Sequence, residues 1–226
     1  MPSNNVTAVA INDAGRAWFG THHWAEGGVS VFDGTTWTTY TESNSGLASN
    51  RVNAIAIGRD GKVWFGTGSK DAGCCSPPPP GISVFDGTAW INYSEDDGLS
   101  SDYVVTVVVD EIGRVWCGTG EWEWSFPCNG VSIFDGASWR TYKEDDGLAP
   151  GQVNVIAFDE KGNARVGTEG GLSVFDGSKW ISYTTSNSGL VSNRVNAIAF
   201  DGAGNIWIGT GYGVSRFTPP PSPPTW

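Results

Sequence analysis

Residues 52–67 read VNAIAIGRDGKVWFGT, and residues 81–93 read GISVFDGTAWINY. In the first string an apolar, alternating run ends at Asp60-Gly61 and resumes as Val63, Trp64 and Phe65, which is the pattern of two short strands joined by a tight turn. In the second, Ile82 to Phe85 leads into Asp86-Gly87, and a further strand runs from Trp90 to Tyr93. Together they predict four strands separated by Gly-bearing turns.

Working outward, the same arrangement recurs through the chain. The first half starts again at Val6, Val104, Val153 and Val195 with no insertion or deletion, placing Trp18, Trp64, Trp116 and Trp207 at one position and Arg165 there in the fourth copy. The second half recurs from Gly28 to Tyr40, Gly130 to Tyr142 and Gly171 to Tyr183. In the fifth copy Gly213, Val214, Ser215, Arg216 and Phe217 lead into Thr218 and a proline run. Four strands per unit is the measure of a propeller blade, whereas solenoid repeats are shorter or helical. The expected fold is therefore all-β: a single five-bladed β-propeller of four-stranded blades over residues 1–218. Its blades start near residues 6, 52, 104, 153 and 195, and the last lacks its fourth strand. Residues 219–226 form a Pro-rich tail or linker, and no helix is expected. Small residues such as Ala8, Ala54, Ala56, Ala197 and Ala199 suit crowded inner strands, while the Trp and Phe positions fill the space between blades.

Asn-Ala-Ile-Ala, Asp-x-x-Gly-x-Val-Trp-Phe-Gly-Thr, Gly-Val-Ser-Val-Phe-Asp-Gly and Ser-Gly-Leu together resemble the two-component regulator propeller repeat. The resemblance covers nearly the whole chain. It implies a β-propeller, and it implies a place in the periplasmic or extracellular sensing regions of bacterial signalling proteins.

A formal net charge of −11 gives a field that repels phosphate backbones and anionic lipid, arguing against nucleic acid as a partner. No apolar run approaches the roughly 20 residues that a membrane-spanning helix needs, so membrane insertion is not expected. Low lysine content and Ser/Thr-rich turns lean towards an extracellular or periplasmic location. His22 and His23 are the only histidines. There is no Gly-x-Ser-x-Gly elbow, His-Glu-x-x-His helix or phosphate-cradling loop, so no enzyme, cofactor or metal is expected. The acid pairs Asp96-Asp97 and Asp145-Asp146 occupy connections that elsewhere read Ser-Asn-Ser-Gly-Leu, which points to turn chemistry rather than a cation site.

Binding is expected where the repeat varies, in the connection between second and third strands. That face carries His22, His23, Trp24 and Glu26 from the first blade and Lys70 and Asp71 from the second. The third contributes Glu121, Trp122, Glu123, Trp124 and Phe126. These aromatics suit a protein interface or a sugar-stacking site. Cys117 takes the position of Phe19 and Phe65 and is expected to be a buried free thiol. A bridge between the neighbouring loops is expected from Cys128 to the Cys74/Cys75 pair, through Cys75. The unfinished blade suggests an assembly edge, formed by Val214, Arg216 and Phe217 with the tail residues Pro219, Pro220, Pro221 and Trp226. The expected function is a non-enzymatic structural module that assembles with copies of itself, such as the subunit of a filament. The alternative is a ligand-sensing or carbohydrate-binding, lectin-like domain excised from a larger bacterial signalling protein.

Overall fold

The computed structural model describes residues 3–22, 27–68, 81–120 and 130–218. Within them the chain forms five antiparallel sheets in which each strand pairs with its neighbours in sequence. The first blade holds β1 (Val6–Ile11), β2 (Ala17–Thr21), β3 (Gly28–Phe32) and β4 (Trp37–Tyr40). The second holds β5 (Val52–Ile57), β6 (Val63–Thr67), β7 (Ile82–Phe85) and β8 (Trp90–Tyr93). The third holds β9 (Val104–Val109), β10 (Val115–Thr119), β11 (Val131–Phe134) and β12 (Trp139–Tyr142). The fourth holds β13 (Val153–Phe158), β14 (Ala164–Thr168), β15 (Leu172–Phe175) and β16 (Trp180–Tyr183). The fifth has three strands, β17 (Val195–Phe200), β18 (Ile206–Thr210) and β19 (Gly213–Phe217). The five sheets and the three strands of the last are as the repeat predicts. Helix enters only as two three-residue 3-10 turns, Glu95–Asp97 and Glu144–Asp146, in the acidic connections.

Strand alternation sends one set of side chains forward, to the next blade, and the other set back. In the first blade Trp18 pairs with Val31, and Gly20 with Val29, on the forward face. The Trp18 ring lies 5.8 Å from Phe65 and 5.9 Å from Phe85 of the second blade. Trp64 repeats this against Phe134 at 5.7 Å, and Trp116 against Phe158 and Phe175 at 5.3 and 6.0 Å. The glycine two residues after the Trp position has a packing reason. A Cβ on Gly20 would sit 2.7 Å from the Val52 side chain, and one on Gly66 2.9 Å from Val104. Gly118 and Gly167 meet Val153 and Val195 more tightly still. These four valines are fully buried.

A polar stitch accompanies each of three junctions. The first strand of every blade carries a bulge near its second residue, after Val6, Val52, Val104, Val153 and Val195. Three of those residues reach a backbone carbonyl of the next blade's first strand. Asn53 Nδ2 donates to the Val104 carbonyl at 2.9 Å, Asn154 Nδ2 donates to that of Val195 at 3.0 Å, and Thr7 Oγ1 donates to that of Val52.

The inner strands pack in sequence, β1 on β5, β5 on β9, β9 on β13 and β13 on β17. Among the described residues β17 does not pack on β1 in the same way, so the five blades form an arc with two open ends. The buried and exposed members of one repeat position should therefore differ sharply in cost. Trp116, 1% exposed, is at an inner junction, and Trp207, 40% exposed, is at an end. Urea unfolding should show Trp116→Ala losing about 3–5 kcal/mol and Trp207→Ala about 1 kcal/mol. Equal losses would contradict the arc.

Candidate functional site

The described ends of four variable loops are tied to the blade-to-blade connections. The Gly68 N–H donates to the Arg51 carbonyl, Gly120 to Tyr103, Glu169 to Gln152 and Gly211 to Arg194, at 2.8–3.2 Å. Each of these loops thus leaves its blade beside the connection that enters that same blade. His22 lies at this rim and forms an isolated bridge with Arg51, and its carbonyl accepts from Asn5 Nδ2 at 3.1 Å. His23, Trp24, Glu26, Lys70, Asp71, Glu121, Trp122, Glu123, Trp124 and Phe126 lie outside the described residues, as do Cys74, Cys75 and Cys128. Cys117 is a free, fully buried thiol whose pKa is pushed up by that burial.

The carboxylates that sequence reasoning set aside as turn residues do that work. Asp33 accepts from the N–H groups of Thr35 and Thr36 at 2.9 and 2.8 Å, and Asp86, Asp135 and Asp176 repeat the geometry. Hydrogen bonds to the ionised form hold all four below the usual carboxylate range, Asp176 at about 2. Asp97 and Asp146 accept the N–H of Ser94 and Lys143, both at 2.8 Å. Asn44 and Asn187 do the same for Thr41 and Thr184 in the uncharged connections. The amide and the carboxylate are interchangeable here because one acceptor oxygen suffices.

At the far end, β19 pairs with β18 alone, and its other edge is unpaired among the described residues. Val214, Arg216 and Phe217 of the expected assembly edge are exposed on it. Pro219, Pro220, Pro221 and Trp226 lie outside the described residues. Between the fourth and fifth blades a cleft of about 380 Å³ opens beside this edge, lined by Arg165, Tyr183, Gly189, Leu190 and Phe217 among others. Arg165, at the Trp position, donates from Nη2 to Asp159 at 2.8 Å, while its Nε and Nη1 are buried without a hydrogen-bond partner among the described residues. Sequence reading noted Arg165 as an exception to the repeat but assigned it no role.

Such sheets, one per repeat and packed face to face around a common axis, define a β-propeller. Residues 46–69 and 189–212 match the family model described as Two component regulator propeller. The resemblance read from the repeat is thereby shown at these two segments. No curated protein matches the chain. Among solved structures it is similar to the extracellular domain assigned to a hybrid two component system of B. thetaiotaomicron, at 23% identity and a TM-score of 0.75, covering 95% of this chain and 28% of that one. It is also similar to PorZ, a surface component of the type-IX secretion system of Porphyromonas gingivalis, at 19% identity and TM-score 0.67, covering 94% of this chain and 32% of that one. Virginiamycin B lyase from Staphylococcus aureus matches at 13% identity and TM-score 0.64, covering 96% and 71%. These likenesses establish the fold. The chain spans about a quarter to a third of the first two structures' length.

One described group on the loop rim has an anomalous charge state. Asp102 is buried with its backbone against Gly68 and Gly81 of the second blade, accepts the Glu95 N–H at 2.9 Å, and has its pKa raised to about 6, chiefly by burial. Asn50 and Asn193 fill the same place in other connections and accept the equivalent N–H. Because the fold disfavours ionised Asp102, the penalty is full above pH 6. It fades as pH falls through 6 and is gone below about 4, where both folded and unfolded forms are protonated. Asp102→Asn should raise Tm by about 3 °C at pH 8 and leave it unchanged near pH 4. An equal gain at both pH values would refute the burial argument.

Proposed function

We propose that this chain is a non-enzymatic, extracellular interaction module that assembles head to tail with copies of itself. The observation that carries this reading is that its two open end faces present the two halves of the junction that the chain itself uses between blades. On the backward face of the first blade, Val6, Val9 and Ile11 are 40, 54 and 65% exposed. At the Val6 position Val52, Val104, Val153 and Val195 are fully buried, at the Val9 position Val107 and Ile156 are buried and Ile55 and Ile198 half-buried, and the equivalents of Ile11 are half-buried. On the forward face of the fifth blade, Trp207 and Val214 are 40 and 62% exposed. Trp18, Trp64 and Trp116 are buried there, with Val29, Ile82 and Val131. A Cβ on Gly209 would meet only its own blade's Ala197, where the other four repeat glycines meet a valine of the next blade. Asn196, at the position of Asn53 and Asn154, is exposed.

Docking the fifth blade of one copy on the first blade of the next would therefore seat Val6 over Gly209. It would set Trp207 against Phe19 and Phe32, and Asn196 against the Val6 carbonyl. Such a contact is heterologous, and unless the rotation closes it builds a filament. The extracellular part of the reading is supported by the locations of the similar domains. No described helix is long and apolar enough to cross a membrane. Against catalysis stand the described acids, which are tied into turns, and the inert Cys117. No described group of three or more His, Cys, Asp or Glu residues is placed to hold a metal.

A second reading is favoured by the greater length of the similar structures: the end faces are met by further blades of one longer polypeptide, within a sensing domain. In that case the loop face, with Trp24, Trp122, Trp124 and Phe126, is the ligand or carbohydrate surface. Light scattering and electron microscopy on the intact chain separate the two. Head-to-tail assembly predicts concentration-dependent oligomers, which Gly209→Leu reduces by at least tenfold in association constant while the unfolding curve stays unchanged. A monodisperse monomer across the concentration range would overturn the assembly reading and favour the second.

A further inference from the structure

The cleft between the fourth and fifth blades lies on the opposite side of the fifth blade from Trp207, so it is a separate site. Its shape is set by what fills the same place at the other junctions. There, the fourth-strand tryptophan of one blade sits between the third-strand Phe of its own blade and the fourth-strand Tyr of the blade before. Trp90 lies 5.0 Å from Phe85 and 5.4 Å from Tyr40. Trp139 lies 5.0 Å from Phe134 and 5.5 Å from Tyr93. Trp180 lies 4.8 Å from Phe175 and 5.7 Å from Tyr142. Each indole rests on the glycine of the incoming connection: the Cβ of a side chain on Gly46, Gly98 or Gly147 would meet Trp90, Trp139 or Trp180 at 2.5–3.4 Å.

At the fifth blade the flanking parts are all present. Tyr183 and Phe217 both line the cleft and are 37 and 53% exposed. No described atom comes within 4 Å of where a Gly189 Cβ would be.

The edge beside this slot is equally specific. In the second blade β7 pairs with β8 in the register Ile82↔Tyr93, Ser83↔Asn92, Val84↔Ile91 and Phe85↔Trp90. The Ser83 hydroxyl donates to Asn92 Oδ1 at 2.8 Å, accepts from the Ala48 N–H at 2.9 Å, and Asn92 Nδ2 donates to the Gly46 carbonyl at 3.1 Å. On β19 the counterparts are Val214, Ser215, Arg216 and Phe217. Ser215 Oγ already accepts the Val191 N–H at 3.0 Å, as Ser83 accepts that of Ala48, and an incoming strand could take the proton of its hydroxyl. Below the slot, buried Nε and Nη1 of Arg165 lack acceptors among the described residues. A buried unpaired donor is costly, and an oxygen acceptor arriving with the indole would relieve it.

We propose that this cleft and the β19 edge bind, in trans, an extended segment of a partner protein with the pattern Trp-x-x-Tyr. The segment adds as the blade's fourth strand. Its indole enters between Tyr183 and Phe217, its main chain pairs with Val214 to Phe217, and its third residue engages Ser215 and the Gly189 carbonyl. Hydrogen bonds along the edge supply affinity, and the aromatic slot supplies selection.

The probe is a fluorescein-labelled peptide Thr-Ala-Trp-Ile-Asn-Tyr-Ser, the sequence of residues 88–94, titrated by anisotropy into the full chain carrying Gly209→Leu. That background keeps the result independent of head-to-tail assembly. Saturable binding is expected, weakened at least tenfold by replacing the peptide's Trp with Ala. Gly189→Leu in the protein, which fills the slot from its floor, should weaken binding as much while leaving the unfolding midpoint unchanged. Absence of binding, or binding indifferent to both changes, would overturn the proposal. Binding that appears only after residues 219–226 are removed would overturn it too, because the slot would then belong to the chain's own tail.

Discussion

Everything in this structure follows from how one blade meets the next: a second-strand tryptophan reaching forward over a glycine that a valine of the following blade covers. The glycine sits within van der Waals contact of Val52, Val104, Val153 or Val195, and any side chain in its place would push the blades apart. The tryptophan then fills the wider space outward from that close approach and lands on the next blade's Phe. Large and small are paired across every inner junction, which is how dense packing is reached without strain. The bulge-borne side chains at Thr7, Asn53 and Asn154 fix the height at which the two inner strands meet. The hydrophobic surface and the register are therefore set by the same few positions.

A junction of this kind is directional, since its forward and backward faces are different surfaces. An arc built from it necessarily ends in one face of each kind, and the two are mates by construction. The first blade's Val6 and the fifth blade's Val214 stand where every inner junction buries its residue, and Trp207 stands where Trp18, Trp64 and Trp116 are buried. Burial of such large apolar groups is worth roughly 1.5–3 kcal/mol each, so leaving both faces in water is costly. A second copy or a further blade of the same kind would cover them. The fourth junction is different because Arg165 replaces tryptophan and the fifth blade's fourth strand is missing among the described residues. One junction in four has thus been given a polar floor and an open aromatic slot.

The repeat made the fold legible. Spacing without insertions gave five units of strands, and the turn chemistry of the connections could be read from Ser-Asn-Ser exchanging with Glu-Asp-Asp. The open arc was not legible, because a repeat count says how blades follow one another but not the angle each subtends. Nor was the cleft. Arg165 stands out in the sequence as a substitution, but its meaning depends on Tyr183, Gly189 and Phe217, which converge only when the fourth and fifth blades pack. The raised pKa of Asp102 was hidden for a similar reason, since burial against the neighbouring blade is a tertiary effect on a residue that reads as an ordinary polar turn. The aromatic loop residues Trp122 and Trp124 were the most conspicuous in the sequence, yet they lie outside the described residues. The end faces and the cleft carry the functional reading instead.

The central claim is that the junction between copies repeats the junction between blades. Electron cryomicroscopy of the concentrated intact chain tests it most directly. The account predicts continuous runs of blades in which Val6 of one copy covers Gly209 of the copy before it and Trp207 lies against Phe19 and Phe32, as Trp18 lies against Phe65 and Phe85. Copies joined through any other surface, or isolated particles with both end faces in solvent, would contradict it.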